Sequence, residues 1–129
     1  MEGKSDLYTE VFIDSNLGRH EMGESIAQIL KAHTLTVLDD IVTNTSKMYL
    51  DDNEFFKIPS TERSSNPDEL FIFYRYILEM EPNENISHEK YIDEVSYLLQ
   101  ELWKRGYKAV ANCSFEAELP DGGGTSFLQ

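Results

Sequence analysis

Between Ser87 and Gly106 the apolar residues recur at helical spacing, and this segment constrains the fold more than any other. Tyr91, Ile92, Val95, Leu98, Leu99, Leu102 and Trp103 fall on one side of a helix, in a stripe too wide to leave in water. Ser87 suits the N-cap, Lys104 and Arg105 favour the last turn, and Gly106 stops the helix. The pattern predicts a helix over 87–105 that is the main contributor to the core, with Leu99 and Trp103 buried under a sheet. Such a stripe needs a flat apolar partner.

The rest of the chain supplies strands and a second helix. Leu7 to Asp14 alternates, with Leu7, Thr9, Val11 and Ile13 on one face and Tyr8, Glu10, Phe12 and Asp14 on the other. Met22, Ile26, Ile29, Leu30 and His33 form a narrower stripe on a helix from Arg19 to His33, weakened at Gly23. Leu35 to Met48 is rich in Thr, Val and Ile and reads as a strand that Asp39-Asp40 interrupts or bulges; Lys47 to Glu54 extends it or forms a separate piece. Glu69 to Glu81 reads as the strongest strand, with Phe71 and Phe73 on the face opposite Leu70 and Ile72 and both faces apolar near its start, as a central or doubly covered strand requires. The last strand is expected over Tyr107 to Leu119, with Cys113 on its apolar face.

The order β-α-β-β-α-β predicts an α+β, ferredoxin-like fold, with two helices on one face of a four-stranded antiparallel sheet. No linker divides the chain, so one domain over 1–119 is expected. After it, Pro120 to Gln129 contains Gly122, Gly123 and Gly124 and reads as a flexible tail. The second sheet face would carry Phe12, Phe71 and Phe73. Such a face either binds something or is covered by the 45–68 segment.

Charge narrows the function. Asp and Glu number 24 against 11 Lys and Arg, a formal net charge of −13. Residues 1–60 carry 11 acids and 5 bases, and residues 61–129 carry 13 and 6, so the excess belongs to the whole surface. Nucleic-acid affinity comes from Lys and Arg releasing counterions, so no nucleic-acid partner is expected, and anionic membranes are disfavoured for the same reason. The aromatic run Phe71 to Tyr76 has only Arg75 as a base, which argues against a stacking platform for single strands. No apolar run is long enough to span a bilayer, and MEGKSDLYTE lacks the pattern of a secretory signal. The single Cys113 fits a reducing, cytoplasmic setting.

No motif points to catalysis. His20-Glu21 fails as HExxH because Glu24 stands where the second His belongs. His20, His33 and His88 are dispersed, and one Cys makes no zinc set. Asp51, Asp52, Asn53 and Glu54 lack the glycine and spacing of a calcium loop. The Gly122–Gly124 run lacks the Lys-Ser or Lys-Thr of a P-loop, and no serine sits in a GxSxG elbow. Cys113 lacks the positive setting of a reactive thiol. The chain is therefore expected not to be an enzyme and to need no metal or cofactor.

Three passages, DLYTEVFID at 6–14, YIDEVSYLLQELWKRGYKAV at 91–110 and ANCSFEAELPDGGG at 111–124, give the chain a resemblance. It resembles the small acidic immunity proteins of bacterial polymorphic toxin and contact-dependent growth inhibition systems. That resemblance implies a cytoplasmic protein, monomeric or weakly dimeric when free, that binds one cognate toxin domain, usually a nuclease. A nuclease is basic where it holds phosphates, so carboxylates on the inhibitor would steer association. From the residues themselves, the densest cluster is Asp39, Asp40, Asp51, Asp52 and Glu54, with Lys47 the one base among them. Tyr49 and Phe55 flank it and would supply anchors. The bland alternative is a solvated acidic loop. The competing class is a homodimeric ferredoxin-like regulatory or small-ligand-binding module, which gel filtration would distinguish from a monomeric inhibitor.

Overall fold

The computed structural model describes residues 6–128. Residues 1–5 and Gln129, which the expected domain and tail include, lie outside the described residues. The architecture is α+β, with a six-stranded antiparallel sheet where four strands were expected. The strands are β1 (Thr9–Asp14), β2 (Thr34–Leu35), β3 (Asp40–Val42), β4 (Ser46–Asp52), β5 (Tyr76–Pro82) and β6 (Lys108–Asn112). The two α-helices are α1 (Arg19–Leu30) and α2 (His88–Lys104). The order across the sheet is β2-β3-β4-β5-β1-β6, and every neighbouring pair is antiparallel. No helix among the described residues is long and apolar enough to cross a membrane.

The extra strands come from 34–52, expected as a strand from Leu35 to Met48 that Asp39-Asp40 interrupts or bulges, with Lys47 to Glu54 extending it or standing separate. Two turns break it. At the first, Asp39 takes a left-handed conformation with φ 64, and its N–H donates to the Thr36 carbonyl. At the second, the Thr43 hydroxyl oxygen accepts from the N–H groups of Thr45 and Ser46. The Thr43 hydroxyl donates to Glu94 of α2 at 2.8 Å, and the Ser46 hydroxyl bonds the same carboxylate. The β propensity of Thr and Val was real; the short Thr side chains also close turns by bonding nearby backbone, and that use prevails here.

Both helices cover one face. Val11, Ile13, Met48, Leu50, Leu78, Met80, Ala109 and Ala111 meet Met22, Ile26 and Ile29 of α1 and Val95, Leu98, Leu99 and Leu102 of α2 in one core. Each large side chain fully buried here is worth roughly 1.5–3 kcal/mol. Helix α2 starts where expected: the Ser87 hydroxyl accepts from the Lys90 N–H. Leu99 is fully buried; Trp103 is only partly so, and its indole N–H donates to the Ala109 carbonyl at 2.9 Å. The Tyr91 hydroxyl lies 3.0 Å from both Thr9 Oγ1 and the Met80 carbonyl, and burial holds its pKa above the ordinary range. Helix α1 stops at Leu30, short of the expected His33, because Lys31 turns left-handed with φ 54. The chain then enters β2, where the His33 N–H pairs with the Val42 carbonyl.

Of the two alternatives for the opposite face, cover or interaction surface, the structure shows partial cover, by 67–73 and not by 45–68 as a whole. The segment expected as the start of a strand at Glu69 is a 3-10 helix over Pro67–Phe73, capped by the Asn66 side chain with Pro67 in its first turn. The strand begins only at Tyr76. Phe71 meets Phe12 edge-on at 5.2 Å between centroids, and Phe73 is buried. Buried Asn53 fastens this cover, donating from Nδ2 to the carbonyls of Ile72 at 2.8 Å and Tyr74 at 2.6 Å.

The last strand also ends early, at Asn112 instead of Leu119. Phe115 and Leu119 still reach the core, by way of a short 3-10 turn over Glu116–Glu118. Within the stretch expected as a tail, Asp121 through Gly124 all have positive φ. This left-handed turn buries Gly123 and Gly124 against the Ala111 and Ala109 carbonyls of β6.

Candidate interaction surface

The registers place the outer face of the sheet. Asp40, Tyr49, Glu79, Glu10 and Asn112 lie in one row across β3, β4, β5, β1 and β6. The next row is Asp51, Ile77, Phe12 and Val110, which the 67–73 cover reaches through Phe12. Lys47 pairs with Glu81, and Asp14 with Lys108. The face thus carries Glu10, Asp14, Asp40, Asp51, Glu79 and Glu81 against Lys47 and Lys108. Tyr49 stands exposed in its middle row. Beside it a shallow concavity of about 390 Å³ is lined by Tyr8, Asp40, Lys47, Tyr49, Glu79 and Glu81 among others. The Tyr8 hydroxyl bonds Glu79, and burial first and that carboxylate second raise its pKa far above the ordinary value. It is a neutral donor at any physiological pH.

The structure divides the residues singled out from sequence. Asp40, Tyr49 and Asp51 share the outer face. Asp52 ends β4 in solvent, and the 3-10 turn Glu54–Lys57 that follows exposes Glu54, Phe55 and Phe56. Asp39 does not join them: its side chain is 1% exposed. Its Oδ2 accepts from Arg19 Nε at 2.9 Å, and its Oδ1 lies 2.8 Å from His20 Nδ1. Arg19 also reaches Asp52 at 3.3 Å and Asp51 at 3.7 Å. One cation at the start of α1 therefore ties three carboxylates together at one end of the sheet. Asp39 is the buried post and Asp51 and Asp52 the exposed ones. Asp39 precedes β3, and there its left-handed backbone turns its carboxylate inward while Asp40 faces outward.

The histidines and the cysteine lie apart from this face. His33 and His88 are exposed, and His20 is engaged by Asp39. Cys113 is partly buried against the core, and burial raises its pKa, which favours the thiol over the thiolate. Among the described residues no group of three His, Cys, Asp or Glu is placed to hold a metal ion. Sequence reasoning missed Val37 and Leu38, read as strand interior; both lie in solvent between β2 and β3. The signal was local: Thr36 and Asp39 bracket them as turn formers. Comparison of the chain with protein-family models, curated proteins and solved structures returns no match in any of the three.

Proposed function

We propose that this protein is an immunity-type inhibitor, cytoplasmic, that binds and neutralises a cognate basic toxin domain, with a nuclease the best-fitting class. The observation that carries the reading is the outer sheet face. Its carboxylates far outnumber its lysines, and exposed Tyr49 sits within the middle row. Rim carboxylates at Asp40, Asp51, Asp52 and Glu54 would draw in a basic partner and set the association rate, while Tyr49 and Phe55 would anchor it. Asp39 acts from beneath, by fixing Arg19 and with it the positions of Asp51 and Asp52. In the same reading the fold is an elaborated ferredoxin-like core. β6-β1-β5-β4 with α1 and α2 follow its strand order, and β2-β3 is an addition between α1 and β4. The function asks only for binding, so no catalytic group or cofactor is assigned. The test begins with the reading frame beside this one, where a basic C-terminal toxin domain is expected and its absence overturns the reading; that domain is then co-expressed with this chain. Restored growth and a stable complex on gel filtration are expected. Continued toxicity, with no complex formed, would overturn the reading.

A further inference from the structure

Among the described residues, the most conspicuous breach of hydrophobic burial is the tip of the β2–β3 hairpin, where Val37 is 87% and Leu38 69% exposed. Two adjacent large aliphatic side chains at such exposure would ordinarily sit on a loose loop. This loop is held. Thr36 Oγ1 accepts from the N–H of Leu38 at 3.2 Å and of Asp40 at 3.1 Å. The Asp39 N–H donates to the Thr36 carbonyl, the Thr36 N–H to the Asp40 carbonyl, and the Leu50 N–H to the Asp39 carbonyl. Beneath it, the Asp39 carboxylate is clasped by Arg19 and His20 and lies so close to Gly23 that a Cβ there would meet Oδ1 at 3.2 Å. The fold thus presents two apolar side chains on a fixed support. Such a device lowers the entropy cost of docking, because the ordering is done before the partner arrives.

Its position gives the partner's chemistry. β3 begins opposite the end of β4, so the tip lies at the end of the sheet where Asp51, Asp52 and Glu54 stand. We infer that the Val37-Leu38 tip is an anchor that enters an apolar socket on the basic partner, with the socket's Lys and Arg rim meeting Asp40, Asp51 and Asp52. The inference rests on the function proposed above and deepens it. A second copy of this chain fits poorly, since it would bring the same carboxylates against these, and an anionic membrane fits poorly for the same reason.

The test uses the purified basic domain from the adjacent reading frame, with dissociation measured by stopped flow. The Val37→Ser/Leu38→Ser variant should weaken binding by on the order of 30-fold, mainly through faster dissociation, while its urea midpoint stays that of the wild type. Asp51→Asn/Asp52→Asn should instead slow association and flatten its salt dependence. Benzoylphenylalanine at position 38 should cross-link to the partner, a readout that stands even if the serine variant folds poorly. Tight wild-type binding with the serine variant within about twofold of it, or no cross-link, overturns the anchor and leaves the function intact. Absence of wild-type binding removes both. A dimer of the free chain that the serine variant dissolves assigns the tip to self-association and also overturns the inference.

Discussion

Replacing Gly124 by alanine, with Gly106 as its control, tests the least expected part of the fold. Both glycines have a positive φ, +102 for Gly124 and +88 for Gly106, so each alanine pays a backbone strain. Only one pays more. A Cβ at Gly106 meets nothing within 4 Å, whereas at Gly124 it would lie 2.5 Å from the Ala109 carbonyl oxygen and 3.1 Å from Trp103 Cζ2. That oxygen cannot retreat, because it belongs to β6 and accepts the Trp103 indole N–H at 2.9 Å. Strain alone sets Gly106→Ala at about 1–2 kcal/mol. Overpacking adds roughly 1–3 kcal/mol, which brings Gly124→Ala to about 2–5 kcal/mol. Urea titration followed by far-UV circular dichroism measures both. A Gly124 variant that costs no more than the Gly106 variant would refute the docking of this turn on β6, and with it the account of why three glycines stand in a row.

Leu99→Ala empties a site with no exposure in the middle of α2, and should cost about 2–5 kcal/mol; a loss under half a kcal/mol, on the order of a surface change, would show the register of α2 to be wrong. The Tyr91 pKa lies above its ordinary 10.0 because the ring is buried, so the folded state holds its proton more tightly than the unfolded chain does. Its contribution is fully present below pH 10 and is lost as pH rises from there toward the folded pKa. Tyr91→Phe should therefore reduce the alkaline loss of stability by up to about 1.4 kcal/mol per pH unit between pH 10 and 11.5. Equal slopes in urea titrations across that range would contradict the buried setting of the phenol.

Helix α2 and strand β1 were legible because one signal dominated each: a wide stripe between Ser87 and Gly106, and a clean alternation up to Asp14. The misreadings share a different cause. Residues 70–74 form a continuous apolar and aromatic run, as a strand covered on both faces would, yet Asn66-Pro67-Asp68 opens a helical turn, and a short 3-10 segment lying flat on a sheet buries aromatics as well as a strand does. Over 34–52 the residues that favour strands are also those that close turns, and only tertiary partners such as Glu94, far along the chain, decide between the two uses. The candidate surface was partly legible for a geometric reason. Asp40, Tyr49 and Asp51 come together because strand registers place them there, but a left-handed turn residue, which the sequence does not mark, sends Asp39 inward. Asn53 was invisible among its acidic neighbours; its importance lies in carbonyls about twenty residues away.

The two margins of the sheet bear on how the protein behaves when crowded. A long bare strand edge is a template for another chain. Here β2 is only two residues long and gives way at once to the Thr36–Asp39 turn. The stretch of β4 that outruns β3 carries Asp51 and Asp52, which repel an approaching strand of like charge. At the other margin the glycine turn lies against β6. Neither side offers a long bare ladder on which copies could stack, so the sheet closes itself to edge-to-edge growth of like chains.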